Sequence, residues 1–218
     1  RATIQTNNII ADLANGLIGH HAIISGPLGN RPMLYADYVA SGRALRQIED
    51  FVLTELLPFY ANSHTEASYV GGFMTRLRRE ARDILRAEVN ASKDHAVIFT
   101  GSGATAGINR ISHLIGLKEM VSKRLTPVVL IGPYEHHSNI LPWRESGAEV
   151  IEIPEAEGGG PCMTSLSQTL ERVIGRPIVG AFSAASNVSG IVTDVVAVTR
   201  VLKAAGAIVV WDYAGGAP

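Results

Sequence analysis

Apolar side chains recur in this chain in two ways, first at helical spacing and then, beyond Val89, in short unbroken runs. Residues 8–18, NNIIADLANGL, predict a short amphipathic helix, and residues 33–37, MLYAD, a short strand, with a Gly/Pro loop, SGPLGNRP, between them. From Arg43 to Phe59 the positions Leu45, Ile48, Val52, Leu53, Leu56 and Leu57 share one helical face, and Pro58 ends the run. The stretch YANSHTEASYVGG is small, polar and without period, which predicts a loop. From Phe73 to Val89 helical spacing returns at Met74, Leu77, Ala81, Ile84, Leu85 and Val89. Arg76, Arg78, Arg79, Glu80, Arg82 and Asp83 crowd its early turns, the mark of a solvated face more than of a phosphate site.

Beyond Val89 the runs AVIFT (96–100), PVVLIG (127–132), EVIEIP (149–154), IVGAFSAAS (178–186) and AIVVW (207–211) predict strands. Helical patterns fall between them, at about 104–117, 138–146, 164–174 and 193–205. Strands that are apolar on both faces, alternating with helices, form a mostly parallel sheet covered on both sides. The expected class is α/β, a three-layer α-β-α arrangement. The expected division is an N-terminal segment, 1–42, and a large domain, 43–218.

Composition narrows the function classes. With 218 residues, 46% hydrophobic and 18% charged, the chain has the make-up of a folded domain or two, not of a disordered segment. Lys+Arg 19 against Asp+Glu 20 leaves a net charge of -1, so no overall field favours nucleic acid or an anionic membrane. A small-molecule substrate is the default. The lone cysteine, Cys162, rules out an internal disulfide and suits a reducing compartment; in GGGPCMTS, with no His or Lys beside it, it reads as an ordinary thiol. No apolar stretch approaches the ~20 residues of a membrane helix, and Arg1 is not followed by a leader of secretory type. The expectation is a cytoplasmic protein without membrane or nucleic-acid partners.

In a parallel sheet the residues just after each strand gather at one edge, where ligands bind. After AVIFT comes GSGATAGIN, a Gly-rich turn opening a helix, whose free N–H groups and Thr105 hydroxyl make a phosphate site. It also fits G-x-G-x-x-A loosely, and a ligand-free tight turn is the plain alternative. After PVVLIG comes PYEHHSNILPW. Adjacent histidines point apart and rarely share a metal, so no metal site is expected; one His lying flat on an aromatic ring, or a capping or core role, are the readings. Asn187 follows IVGAFSAAS and Asp212 follows AIVVW, each with a turn-forming role as its alternative. A phosphate turn, a stacking His, a hydrogen-bonding Asn and a strand-end Asp together suit a phosphorylated aromatic heterocycle with a ring nitrogen and a phenolic oxygen. Pyridoxal 5′-phosphate is such a group.

The ordered set YADYVAS, HTEAS, GSGATAGIN, PYEHHSNILPW, SAASNVSG and VVWDYAG resembles class V of the fold-type I pyridoxal-phosphate enzymes, which holds cysteine desulfurases, selenocysteine lyases, isopenicillin N epimerase-like proteins and kynureninases. The resemblance runs from about Tyr35 to the last residue. It implies that Gly103, Ala104 and Thr105 hold the phosphate, that His136 stacks on the cofactor ring and moves protons, and that Asn187 and Asp212 bind the ring oxygen and ring nitrogen. Asn62 and His64 are carried over as residues on a loop that approaches an active site in such dimers. Implied too are a homodimer, an amino-acid substrate and aldimine chemistry, whether transamination, β-elimination with desulfuration, or epimerisation.

Two positions depart from the desulfurase pattern. Tyr213-Ala214-Gly215 follows Asp212 where Gly-Ala-Gln is usual, and Ala104 stands at the first Thr of the phosphate turn. The family's Schiff-base lysine lies a couple of dozen residues past the aspartate, whereas this sequence ends six residues after Asp212. Lys93, Lys118, Lys123 and Lys203 are upstream at expected surface positions. The resemblance therefore makes this the N-terminal portion of such an enzyme, its large domain incomplete at the C-terminus and inactive by itself. Two other readings stay open here. One is a nucleotide-binding oxidoreductase that uses GSGATAG, with Glu135 as the carboxylate after the next strand. The other is a non-catalytic binding module derived from the family.

Overall fold

A computed structural model describes residues 9–217, which fall into two compact units, one reaching to Phe99 and one starting at Thr100.

In the first unit, helix α1 (Ile9–Gly16) is followed by an antiparallel hairpin of β1 (Ile23–Gly26) and β2 (Gly29–Pro32). The hairpin occupies the segment expected to be a loop, and Met33–Asp37, expected to be a strand, is irregular. Gly29, at a φ of +87°, closes the reversal that an L side chain would resist, and Ser25 Oγ donates to Asn30 Oδ1 across it at 2.6 Å. The helix expected from Arg43 forms as α2 (Arg46–Phe51), then widens into a π turn at Val52–Leu56 and tightens into a 3₁₀ turn at Leu57–Phe59, where Pro58 stops it. Helix α3 (Tyr69–Glu88) begins earlier than the Gly-Gly pair suggested, because Ser68 caps it: its Oγ accepts the Gly71 N–H at 3.1 Å. The arginines of α3 pair outward, Arg79 with Glu66 at 3.0 Å and Arg86 with Asp83 at 2.6 Å, as a solvated face does.

The second unit holds the parallel sheet, in the order β4 (Glu149–Glu152), β3 (Val128–Ile131), β5 (Ile178–Ser183), β6 (Ile208–Asp212). Every neighbouring pair is parallel; β3, β4 and β5 fall within runs picked out by their apolar residues, and β6 extends its run by one residue, Asp212. Residues 96–100 form no strand, contrary to expectation. A strand exists through its ladder of hydrogen bonds, and this segment has no partner strand among the described residues; Ile98 is 61% exposed.

Alternation along the strands builds two cores. Val129, Ile131, Val179, Ala181 and Val210 face Ile108 of α4 (Gly103–Ile115), Leu117 of α5 (Leu117–Ser122) and Trp143 of α6 (Leu141–Glu145). Val128, Leu130, Ile178 and Phe182 face Leu166 and Leu170 of α7 (Met163–Arg172) and Val198 and Leu202 of α8 (Val195–Ala204). The result is the α-β-α sandwich expected. Ser183 and Asp212 are paired in register and continue the series Ala181 and Val210, so their side chains lie on the α4 side.

Candidate functional site

Strand β3 stops at Ile131 because Gly132 and Pro133 follow, and Pro133 has no N–H to continue a ladder. The neighbouring strand β5 runs on to Ser183, so the Ser183 N–H has outlived its partner strand. A side chain takes it instead. Glu135 Oε1 accepts the Ser183 N–H at 2.7 Å, and Glu135 Oε2 accepts the Ser183 hydroxyl at 2.6 Å and Asn139 Nδ2 at 2.5 Å. Asn139, fully buried, accepts Trp143 Nε1 through Oδ1 at 2.9 Å. Backbone and carboxylate close tightly here: a Cβ on Gly132 would stand 2.7 Å from Glu135 Oε1. Burial holds the Glu135 carboxyl above the ordinary carboxylate range; the Ser183 and Asn139 donors pull it back, and the charge of Asp212 adds to the rise.

Asp212 closes β6 and is only 6% exposed. Its carbonyl accepts the Ala184 N–H at 2.9 Å, its Oδ1 accepts the Ala214 N–H at 2.8 Å, and its Oδ2 makes no hydrogen bond among the described residues. A buried carboxylate with one oxygen left over is what an N–H ligand needs. Its turn-forming role is also real, since the Oδ1 bond organises the turn that follows.

His136 caps the 3₁₀ turn His137–Asn139 by accepting the Ser138 N–H at Nδ1, 3.3 Å away, with the Ser138 hydroxyl 2.9 Å from the same nitrogen. Capping through Nδ1 leaves Nε2 and the exposed ring faces for other work; His137 meets the ring edge-on at 5.6 Å.

Helix α4 packs beside the His137–Asn139 turn and α6, so its first turn lies on the strand-end side of the sheet. Gly101 and Gly103 adopt φ of +114° and +64°, which bend the chain into the helix. Ser102, the N-cap, makes no side-chain cap, so the amides of Gly103, Ala104 and Thr105 are not satisfied by it. Thr105 is exposed, and its carbonyl accepts Asn109 Nδ2 at 2.8 Å.

Asn187 lies in an exposed turn built by Ser186, whose hydroxyl accepts the N–H groups of Val188 at 3.2 Å and Ser189 at 3.1 Å. The Asn187 side chain itself makes no hydrogen bond to another described residue, so the turn does not need it.

The second unit thus brings His136, Asn187, Asp212 and the first turn of α4 to one edge. Asn62 and His64 belong to the first unit, exposed on the loop before α3, where the contacts are made by Ser63, which accepts Thr75 Oγ1 at its carbonyl and Arg78 at its hydroxyl. Lys93, Lys118, Lys123 and Lys203 are all exposed. Cys162 accepts from Ser165 Oγ at 3.2 Å, a bond that holds its thiol below the ordinary value. Among the described residues no helix is long and apolar enough to cross a membrane, and no three His, Cys, Asp or Glu side chains are grouped to hold a metal ion. A separate cleft of about 460 Å³, at the far end of α4, is lined by His113, Lys118, Glu119 and Glu145 and contains none of the strand-end residues.

From the sequence Glu135 was expected only as the carboxylate after the next strand in a nucleotide-binding oxidoreductase, and with both oxygens engaged it is unsuited to that role. Its partners carried a signal in their spacing: Glu135, Asn139 and Trp143 are four apart, and in the structure they fall on the segment before the 3₁₀ turn, on that turn and on α6.

The family model for aminotransferase class-V matches residues 34–218. A probable cysteine desulfurase of Halalkalibacterium halodurans is 24% identical over 200 residues, covering 90% of this chain and 48% of that protein. A probable cysteine desulfurase of Streptomyces coelicolor is 28% identical over 192 residues, covering 85% and 45%. The apo structure of a cysteine desulfurase from Thermococcus onnurineus superposes with a TM-score of 0.74 at 20% identity, covering 93% of this chain and 46% of that one. The chain spans about half the length of the curated relatives it matches.

Proposed function

The chain belongs to the aminotransferase class-V family, and we propose that its strand-end edge holds pyridoxal 5′-phosphate for chemistry on an amino-acid substrate. Asp212 carries the reading. A carboxylate buried at a strand end, with Oδ2 left over, suits a protonated pyridine nitrogen, which a neighbouring negative charge keeps protonated. The uncapped first turn of α4 suits the phosphate: the amides of Gly103 and Ala104 and the Thr105 hydroxyl are donors at the positive end of a 13-residue helix. When bound, pyridoxal phosphate would supply an aromatic ring that takes up the electron pair left on a substrate carbon when one of its bonds is broken.

The remaining work falls to the chain. His136 offers its ring face for stacking, and Nε2 is the nitrogen from which it would move a proton, because Nδ1 is occupied by the Ser138 N–H. The Asn187 amide, unused by its own turn, orients the ring oxygen. Asn62 and His64 are proposed to serve the substrate side in a homodimer. The protein is proposed to be cytoplasmic, with residues 1–42 as an N-terminal arm to the large domain. Among transamination, β-elimination with desulfuration and epimerisation, desulfuration is favoured, because the two relatives described above are named probable cysteine desulfurases.

The test is a pair of titrations. Pyridoxal 5′-phosphate should give a saturable absorbance change and NAD none. Tight NAD binding with no response to pyridoxal phosphate would transfer the site to the nucleotide reading.

A further inference from the structure

Glu135 is a half-buried acid at the strand-end edge to which the cofactor reading gives no task. Its position is unusual. It follows β3 by four residues, yet both its oxygens accept from the neighbouring strand, at Ser183, the last residue of β5. That residue, Ser183, is paired with Asp212. Its carbonyl accepts Thr193 Oγ1 at 2.8 Å, and the next N–H, of Ala184, goes to the Asp212 carbonyl. Glu135 is adjacent in sequence to His136, and Ser183 stands four residues before Asn187. One carboxylate therefore ties together the three segments that present His136, Asn187 and Asp212.

We propose that Glu135 is a positioning residue for the cofactor ring, acting through Ser183 to fix Asp212 and through its own backbone to fix His136. The proposal rests on the cofactor reading above. Its chemistry requires a carboxylate. The atoms that face Glu135 are three donors, the Ser183 N–H, the Ser183 hydroxyl and Asn139 Nδ2, and Asn139 cannot turn its amide round without losing Trp143 Nε1. Glutamine has the same shape but must aim an NH₂ group at one of these donors. The tie is then broken on one side while the volume is kept. A misplaced ring contact is enough to change affinity and ring orientation without unfolding the domain.

The probe is pyridoxamine 5′-phosphate, which needs no lysine to bind, added to the whole chain. Two signals are read: affinity by fluorescence, and the induced circular dichroism of the bound ring, which reports its orientation in the site. Glu135→Gln should weaken binding about tenfold or more and reduce or invert the induced band, while far-UV circular dichroism stays as in the unchanged chain. Ser183→Ala, which keeps the N–H bond and drops only the hydroxyl, should move both signals the same way by a smaller amount, and it decides the matter if the glutamine variant fails to fold. Val198→Ala, in the core on the opposite face of the sheet, should lower the melting temperature and leave both signals unchanged. Binding and band in Glu135→Gln equal to those of the unchanged chain would overturn the positioning role alone. Losses that simply track melting temperature across all three variants would also overturn it. No binding of the probe to the unchanged chain would remove the cofactor reading, and the positioning role with it.

Discussion

Ser183 gives two hydrogen bonds to one carboxylate 48 residues away, its N–H to Glu135 Oε1 at 2.7 Å and its hydroxyl to Glu135 Oε2 at 2.6 Å. A side chain here replaces a strand. Where β3 has ended, Glu135 supplies the acceptor that a continued backbone would have given, and the sheet edge stays satisfied while the chain turns away to present His136.

The space around that carboxylate is closed. Gly132→Ala would put a Cβ 2.7 Å from Glu135 Oε1 and 3.0 Å from Phe182 Cδ1. The expected loss is about 1–3 kcal/mol, the range of overpacked cores. Urea unfolding measures it, and a variant as stable as the parent would show that the turn has slack.

Glu135 gives stability a pH dependence of known sign. Its carboxyl is held above the ordinary value of 4.5, chiefly by burial. Between that value and the higher folded one, the folded chain keeps a proton that the unfolded chain has released, so stability falls as pH rises. The contribution is complete below 4.5 and is lost as pH climbs through the folded value. The stability advantage of the parent over Glu135→Gln should therefore shrink from acid to neutral pH. An advantage that grows with pH would reverse the assignment.

The first turn of α4 separates backbone strain from crowding. Gly103 has a φ of +64° and nothing within 4 Å of where a Cβ would stand. Substitution costs only the left-handed conformation, about 1–2 kcal/mol for an ordinary L residue. Asn tolerates that conformation and should cost least, Ala more, and Val most. Thermal melts of the three give the order.

Trp143→Phe removes the donor to Asn139 Oδ1 inside a fully buried residue. The expected cost is about 1–3 kcal/mol, that of an orphaned buried acceptor. Combined with Glu135→Gln, it should show a coupling of at least about 0.5 kcal/mol in a double-mutant cycle, because Asn139 is common to both. Additive effects would mean that the two bonds act separately.

The sheet was legible because buried parallel strands are apolar on both faces. PVVLIG, EVIEIP and IVGAFSAAS each contain a strand of the structure, and AIVVW supplies all but the last residue of another. AVIFT is as apolar as they are and is not a strand, since pairing depends on a neighbour that composition does not encode. The hairpin at Ile23–Pro32 was hidden by its glycines and prolines, which read as a loop although Gly29 is what closes the turn. At the site, Asp212 was legible as an acid at the end of an apolar run. Glu135 was not, because its partner is 48 residues away and no period links position 135 to 183.

The central claim is that Asp212 meets a protonated ring nitrogen, and ¹⁵N NMR of ring-labelled pyridoxamine 5′-phosphate bound to the chain tests it most directly. The account predicts a pyridinium shift at neutral pH in the unchanged chain, moving toward the neutral pyridine value, with weaker binding, in Asp212→Asn. A neutral ring nitrogen in the unchanged complex, or a pyridinium shift that survives Asp212→Asn, would contradict it.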